Sequence, residues 1–384
     1  MTSDRRTILA LFSLAFGLRI LYAAVIGTNP DIIVIPYTYD FVVASKIAAG
    51  ADWLTQPLSP YAPGYQLLLA ILFRIGGPHY WLVVLLQAAI GGVTAFFLYR
   101  IGDRKFGRNA GLFAAVWLAI YVHHLHYSSI AIRDVTTSML LVYVCYLTVL
   151  YTRRMRGAVW TGFAFTVLVH FDPQYLFFFP VIALYLLFYA TRHKLLNLQS
   201  FFLFTGCVLV LLIPWTVRNQ RVYGDPIPVG LETTHYARPL KHLARSLLGD
   251  PRQEGAMLPP RADFARNTVE FWRVTRFRAE EGQESGGRPG QPAWSMRHNL
   301  ISLAGYGVVL PFFLVGVWLA VKKRNRAGMF TAAVVLFYFL IRLAYGGNER
   351  SRLQVEPLII LLAFYAVGVL IDHLRSRRAS AAGV

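Results

Sequence analysis

The sequence predicts an all-α fold: a polytopic integral membrane helical bundle of about ten transmembrane helices, with outer-face loops carrying interfacial helices. Three observations predict it. Of 384 residues, 56% are hydrophobic and only 15% are charged. Apolar runs of roughly 20 residues, the length that crosses a ~30 Å hydrocarbon core, recur along the chain. Lysine and arginine collect in every second short connection between those runs. A net charge of +19 would suggest nucleic acid in a soluble protein. Here much of it lies in the short connections, with no zinc-finger spacing or basic recognition helix, so nucleic acid is excluded and membrane lipids are the implied surroundings.

The first apolar segment, TILALFSLAFGLRILYAAVIG, follows Asp4-Arg5-Arg6 and exceeds a signal-peptide core of about 7–15 residues, so it reads as a retained anchor. Spans are predicted near 7–27, 79–99, 110–127, 132–151, 158–172, 175–191, 200–217, 299–321, 328–345 and 356–374. The connections RIGDRKFGR, TRRMRG, TRHK and KKRNR, the tail RSRR, and Arg5 with Arg6 mark the cytoplasmic face and place both termini there. YQLLLAILFRIGG at 65–77 is short, and counting it as a span would put RIGDRKFGR outside; it reads as a helix at the outer interface. Residues 1–217 form an N-terminal transmembrane module with a first outer loop at about 28–78. Residues 218–298 form a second outer (periplasmic) loop, and 299–384 a C-terminal transmembrane module with a cytoplasmic basic tail. Within the second loop, ADFARNTVEFWRVTRFRAEE reads as helix, with Phe264, Val269, Trp272 and Phe277 as interfacial residues. The short basic connections suit a bacterial inner membrane.

Ionisable residues at the outer membrane edge carry the functional information, because each is costly to desolvate unless paired or wet. Five outer connections bring charge to one depth: Asp40; Arg133 and Asp134; His170 and Asp172; Arg218; and Arg350 with Arg352. Arginine presents a planar fork that matches phosphate oxygens and stays protonated near apolar surface. A single arginine at a helix end also snorkels to lipid head groups, so the set is more persuasive than any member. His123, His124 and His126 form a second cluster, in which 123 and 126 share a helical face and suit a transition metal; interfacial histidines among tyrosines are the alternative. HExxH, P-loop and GxSxG motifs are all missing from the sequence. Asp40, Asp31 and the histidines are able to assemble a divalent-cation site, yet no cofactor is required by the sequence.

The order of these features resembles the GT-C class of polytopic membrane glycosyltransferases, in particular bacterial family 39-like members related to protein O-mannosyltransferases. LAFGLRILY is similar to the arginine-containing end of their first span. YDFVVASKIAAG carries Ala44 and Gly50 at the spacing of an A-x-x-(l/i)-x-x-G element. SPYAPGYQLLLAILFRIGG resembles their proline-rich lead into a short helix, and Arg133-Asp134 their R-x-E or s-E pair. PWTVRNQRVYGDPIPV and ERSRLQVEPLIILLAFYAV are similar to the PWxxRN and RYRLPxxP elements. One departure is that Asp40 stands where the family pattern has a tyrosine.

The resemblance implies a polyprenyl-phosphate-linked sugar donor, transfer to an acceptor hydroxyl on the outer face, and inversion. The acceptor is unspecified among lipid, polysaccharide and protein. Asp40 is the expected general base, with Asp31 in reserve. Arg218, Arg350 and Arg352 are the expected phosphate clamp, with Glu349 and Glu356 fixing their rotamers. Arg133, Asp134 and His170 are expected to orient the sugar or Asp40, and Tyr61 with the Pro60–Pro63 turn either to shape the acceptor entrance or to give structural support. The competing reading is a polytopic transporter or flippase of a lipid-linked substrate, disfavoured because the charges lie at one face without pseudo-symmetric halves.

Overall fold

The computed structural model describes residues 3–26, 39–56, 59, 61–152, 154–189, 191, 193–224, 226, 228–229, 264–274, 300–345 and 349–381. Every regular element among these is helical. In chain order they are α1 (Ser3–Ile26), α2 (Tyr39–Ala48), α3 (Pro63–Gly76), α4 (Tyr80–Lys105), α5 (Arg108–Ile120), α6 (Val122–Ser128), α7 (Asp134–Leu150) and α8 (Met155–Phe171). A 3-10 turn, Pro173–Phe178, runs into α9 (Phe179–Phe188), followed by α10 (Lys194–Tyr223) and α11 (Phe264–Trp272). A π turn, Leu303–Gly307, leads into α12 (Val308–Lys322), then α13 (Arg326–Tyr345), α14 (Glu349–Arg352) and α15 (Glu356–Ala381).

Each of the ten expected spans has a helix, but ten helices of crossing length are not found. Among the described residues, six are long and apolar enough to cross a membrane, within α1, α4, α10, α13, α15 and the stretch Leu300–Lys322. The others are shorter for identifiable reasons. The span expected at 110–127 breaks at Tyr121, whose extended backbone (φ −71°, ψ 108°) separates α5 from α6. Pro173 lies one residue past α8, after extended Asp172, and starts the turn before α9. Buried Asp134 opens α7, which is enclosed by protein on nearly all sides. Such a helix need not match the hydrocarbon thickness, because its neighbours solvate it.

The core is organised around α15 and the turn leading into it, where every residue from Leu353 to Ala363 is buried. Its neighbours approach closely through small residues: a Cβ on Gly316 of α12 would collide with the Leu362 carbonyl oxygen, and Gly102 of α4 lies directly against Gly111 of α5. At one end of the bundle the basic connections meet. Arg100 pairs with Asp4 at 3.0 Å, Asn325 donates to the Lys105 carbonyl at 3.2 Å, and Ser200 donates to the Thr152 carbonyl at 3.3 Å. The opposite end gathers α2, α3, α11, α14 and the starts of α7 and α15. There α3 buries Tyr65, Gln66, Leu69 and Phe73 and exposes Ile71 and Ile75, the two-sided character expected of an interfacial helix. The helix expected in the second long loop is present in part as α11, which ends at Trp272, with Phe271 buried and Trp272 stacked on Phe313 at 5.9 Å; Phe277 and the side chain of Phe264 lie outside the described residues.

Overpacking α12 against α15 tests this centre. Gly316→Ala is expected to lower the thermal stability of the detergent-solubilised protein, by about 1–3 kcal/mol, since backbone and not a flexible side chain blocks the methyl. Gly206→Ala, with nothing within 4 Å of the new Cβ, is expected to leave stability unchanged or raised.

Candidate functional site

At that opposite end Asp40 is the second residue of α2 and is half-buried. Its Oδ1 accepts an N–H from Gln66 Nε2 at 2.8 Å, and the same nitrogen donates to Ser59 Oγ at 2.8 Å. Gly64 makes this possible: a Cβ there would lie 2.8 Å from the His170 carbonyl oxygen and inside the Phe171 ring, so glycine seats the start of α3 on the end of α8. Burial pushes the Asp40 carboxyl above the ordinary carboxylate range, while Arg133, the Gln66 donor and Arg350 pull against it and Asp134 adds to the rise.

Arg133 and Asp134 stand where α7 begins. The Arg133 guanidinium lies 6.0 Å from the Tyr61 ring centroid, and Tyr61 meets Tyr39 edge-on at 5.1 Å. Asp134 is buried; its Oδ2 accepts from Arg350 Nη2 at 2.9 Å and Nε at 3.1 Å, its Oδ1 from Gln354 Nε2 at 2.9 Å. Gln354 is itself fixed, accepting from the Tyr175 hydroxyl at 2.6 Å and Gln174 Nε2 at 3.1 Å, and donating to Asp172 at 3.3 Å. Asp172 caps the turn before α9, accepting from the Gln174 backbone N–H at 3.3 Å.

The three arginines of the expected clamp have different surroundings. Arg350, held on Asp134, keeps half of its side-chain surface exposed (50%). Arg352 is buried at 2%: Nε donates to Glu356 at 2.9 Å, Nη1 to the carbonyls of Phe271 and Arg273 at 2.8 Å each, and the guanidinium lies 3.6 Å from the Tyr306 ring centroid. Arg218 donates to the carbonyls of Trp53 and Gln56 at 2.7 and 2.8 Å and lies 5.0 Å from the Trp215 ring centroid, tying the first long loop to α10. His170 has Nδ1 on the Thr166 carbonyl at 2.8 Å and its ring beside Trp215.

Asp40, Tyr61, Arg133, Asp134 and Arg350 therefore come together, whereas Arg352, Arg218 and His170 are bound into the frame around them. Glu356 pairs with Arg352 as expected, and also takes His123 Nδ1 at 2.8 Å and the Tyr121 hydroxyl at 3.2 Å. His126 instead meets Tyr22 at 3.2 Å, so the two histidines expected to share a metal face turn to different partners. Among the described residues no three of histidine, cysteine, aspartate and glutamate are grouped to hold a metal ion. Asp31 and the side chain of Glu349 lie outside the described residues.

Sequence reading missed Gln66 and Gln354, 2% and 1% exposed. The signal was there: each is a lone amide in an apolar run, YQLLLAILF and RLQVEPLII, and a buried amide is costly unless hydrogen-bonded. Beside the Asp40–Gln66 pair opens a cleft lined by Trp53, Ser59, Tyr61, Gln66, Trp215 and Arg218 together with apolar side chains of α2 and α3.

With this geometry in place, known proteins show where it recurs. Residues 59–217 match the family model for dolichyl-phosphate-mannose-protein mannosyltransferase. No curated protein matches the chain in sequence. The fold is similar to that of the Archaeoglobus fulgidus oligosaccharyltransferase in its apo form, with TM-score 0.59, 14% identity, and coverage of 99% of this chain and 52% of that one. It is similar to the archaeal oligosaccharyltransferase AglB of Archaeoglobus fulgidus in complex with an inhibitory peptide and a dolichol-phosphate: TM-score 0.55, 14% identity, coverage 100% and 52%. It is also similar to ArnT from Cupriavidus metallidurans bound to undecaprenyl phosphate: TM-score 0.58, 14% identity, coverage 94% and 60%. These matches bear out the resemblance to GT-C class membrane glycosyltransferases. The chain spans about half the length of the oligosaccharyltransferases it matches.

The surroundings of the two neighbouring arginines predict opposite outcomes. Arg352→Gln leaves Glu356 hydrogen-bonded to His123 and the Tyr121 hydroxyl and frees two carbonyls at the end of α11, and is expected to lower thermal stability in detergent by about 2–3 kcal/mol. Arg350→Gln, at a half-exposed position, is expected to lower it much less.

Proposed function

We propose that the chain is an inverting membrane glycosyltransferase that moves a sugar from a polyprenyl-phosphate donor to an acceptor hydroxyl. The carrying observation is a partly buried carboxyl, Asp40, in electrostatic range of Arg133 and of Arg350, a half-exposed guanidinium held on buried Asp134. The proteins of similar fold whose structures contain dolichol-phosphate or undecaprenyl phosphate support a lipid phosphate as the ligand of such a site. The reaction is placed on the outer face of a bacterial inner membrane, opposite the basic connections.

Asp40 takes the proton from the acceptor hydroxyl as its oxygen attacks the anomeric carbon, and the bond from that carbon to the phosphate oxygen breaks. Negative charge develops on the departing polyprenyl phosphate, where the Arg350 fork receives it; Arg133, above Tyr61 and near Asp40, orients the sugar. Arg352 and Arg218 hold the frame, one through Glu356 and α11, the other through the first long loop. The acceptor reaches Asp40 through the cleft beside Gln66 and Tyr61. A base must be deprotonated to act, and burial raises the Asp40 carboxyl, so transfer falls on the acid side at a pH above the ordinary carboxylate range.

Purified protein in lipid, supplied with several polyprenyl-phosphate sugars and crude envelope acceptor, tests this. Wild type is expected to transfer sugar and Asp40→Asn to lose it. Arg350→Gln is expected to lose about 2–4 kcal/mol of transition-state stabilisation, roughly 30- to 1,000-fold in kcat/KM. Transfer by Asp40→Asn at the wild-type rate would remove Asp40 from the chemistry.

A further inference from the structure

Gln66 is the polar side chain on α3 that touches the proposed base, and its geometry restricts what it can do. The nitrogen Nε2 faces two oxygens, Asp40 Oδ1 and Ser59 Oγ, each at 2.8 Å. Ser59 is fixed from the other side: its carbonyl accepts the Tyr223 hydroxyl at 2.9 Å, and its Oγ accepts the Tyr61 backbone N–H at 3.1 Å. The helix beneath is fixed too, since the adjacent Tyr65 hydroxyl accepts from Gln87, whose amide also donates to the Ile130 carbonyl at 2.7 Å. Rotating the Gln66 amide by half a turn would set its own oxygen against the Asp40 carboxylate. At 2% exposure, water is not at hand to relieve that conflict. The amide therefore has one orientation, with one N–H committed to Ser59 and the other to Asp40.

We propose that Gln66 is a positioning residue that holds Asp40 in its charged form and turns the second carboxylate oxygen, Oδ2, toward the acceptor in the cleft. A hydrogen bond donated to a carboxylate favours the ionised state, and here it opposes burial, which favours the protonated one. Arg133 and Arg350 act in the same direction as Gln66, while Asp134 and Tyr65 are the other titratable neighbours; all four remain when Gln66 is changed. The inference rests on reading Asp40 as the base, so its test uses a signal that requires no turnover.

Dicyclohexylcarbodiimide adds to protonated carboxyls and not to carboxylates, so its attachment to Asp40 follows that group's protonation. The full chain in detergent would be labelled across a pH series, digested, and the Asp40 peptide quantified by mass spectrometry for wild type, Gln66→Leu and Gln66→Met. The midpoint is expected to rise by about one pH unit in Gln66→Leu, where the donor is gone. It is expected to rise likewise in Gln66→Met, which keeps the length of the side chain without the donor. The acid limb of kcat/KM should move with the labelling midpoint while the donor KM stays constant, which a purely structural role would not produce. Coincident midpoints in wild type and Gln66→Met would overturn the proposal even if Gln66→Leu fails to fold. A shifted midpoint combined with full transfer by Asp40→Asn would overturn the base reading, and with it the positioning role, while leaving the hydrogen bond in place.

Discussion

A carboxylate withdrawn from water is tolerated only where charge and hydrogen-bond donors replace the lost hydration, and Asp134 is where this constraint organises the molecule. One of its oxygens takes the Arg350 guanidinium, and the other takes the Gln354 amide. Through those two bonds the start of α7, the turn α14, the approach to α15 and the 3-10 turn before α9 are locked at a common depth. The partners are themselves held: Gln354 by Tyr175, Gln174 and Asp172, and Asp172 by the turn it caps. The half-exposed arginine is thus presented on a fixed base, while Asp40 is held separately by Gln66 of α3; the proposed stabilisation of a departing phosphate would draw on such preorganisation.

A second buried network lies beneath it around Glu356, which collects Arg352, His123 and the Tyr121 hydroxyl at the head of α15. Arg352 extends this network to two carbonyls of α11 and its end, so the second long loop is tied to the centre of the bundle. Arg218 does the same for the first long loop. Two of the arginines expected as phosphate ligands from the sequence therefore also tie the long loops to the bundle. The division of labour follows from accessibility, since a guanidinium whose N–H groups end on backbone carbonyls has little left to offer a ligand.

The helices were legible because bilayer thickness and burial impose long apolar runs, and the end to which each connection belongs was legible from lysine and arginine. Which runs are long enough to cross was not, because the interruptions at Tyr121 and Pro173 and the polar start of α7 at Asp134 shorten helices without lowering the hydrophobicity around them. That Asp40, Arg133, Asp134 and Arg350 lie at one depth was legible from their connections; that they meet was not, because it depends on how α2, α7 and α14 pack. The difference between Arg350 and Arg352 was not, since both sit at the same helix mouth. One short turn settles it: residues two apart on a helix point to different sides, one here toward Asp134 and the other into the core. Gln66 and Gln354 went unread because amides carry no charge to draw notice, although their place in apolar runs required partners.

The account depends most on where the lipid phosphate goes. A structure of the full chain with a polyprenyl phosphate bound is predicted to place the phosphate within hydrogen-bond distance of the Arg350 guanidinium, on the side that faces Asp40. The Arg352–Glu356 and Arg218–Trp53 contacts should remain unchanged. A phosphate seated on Arg352 or Arg218 after displacement of those contacts, or bound among the basic connections at the other end of the bundle, would contradict it.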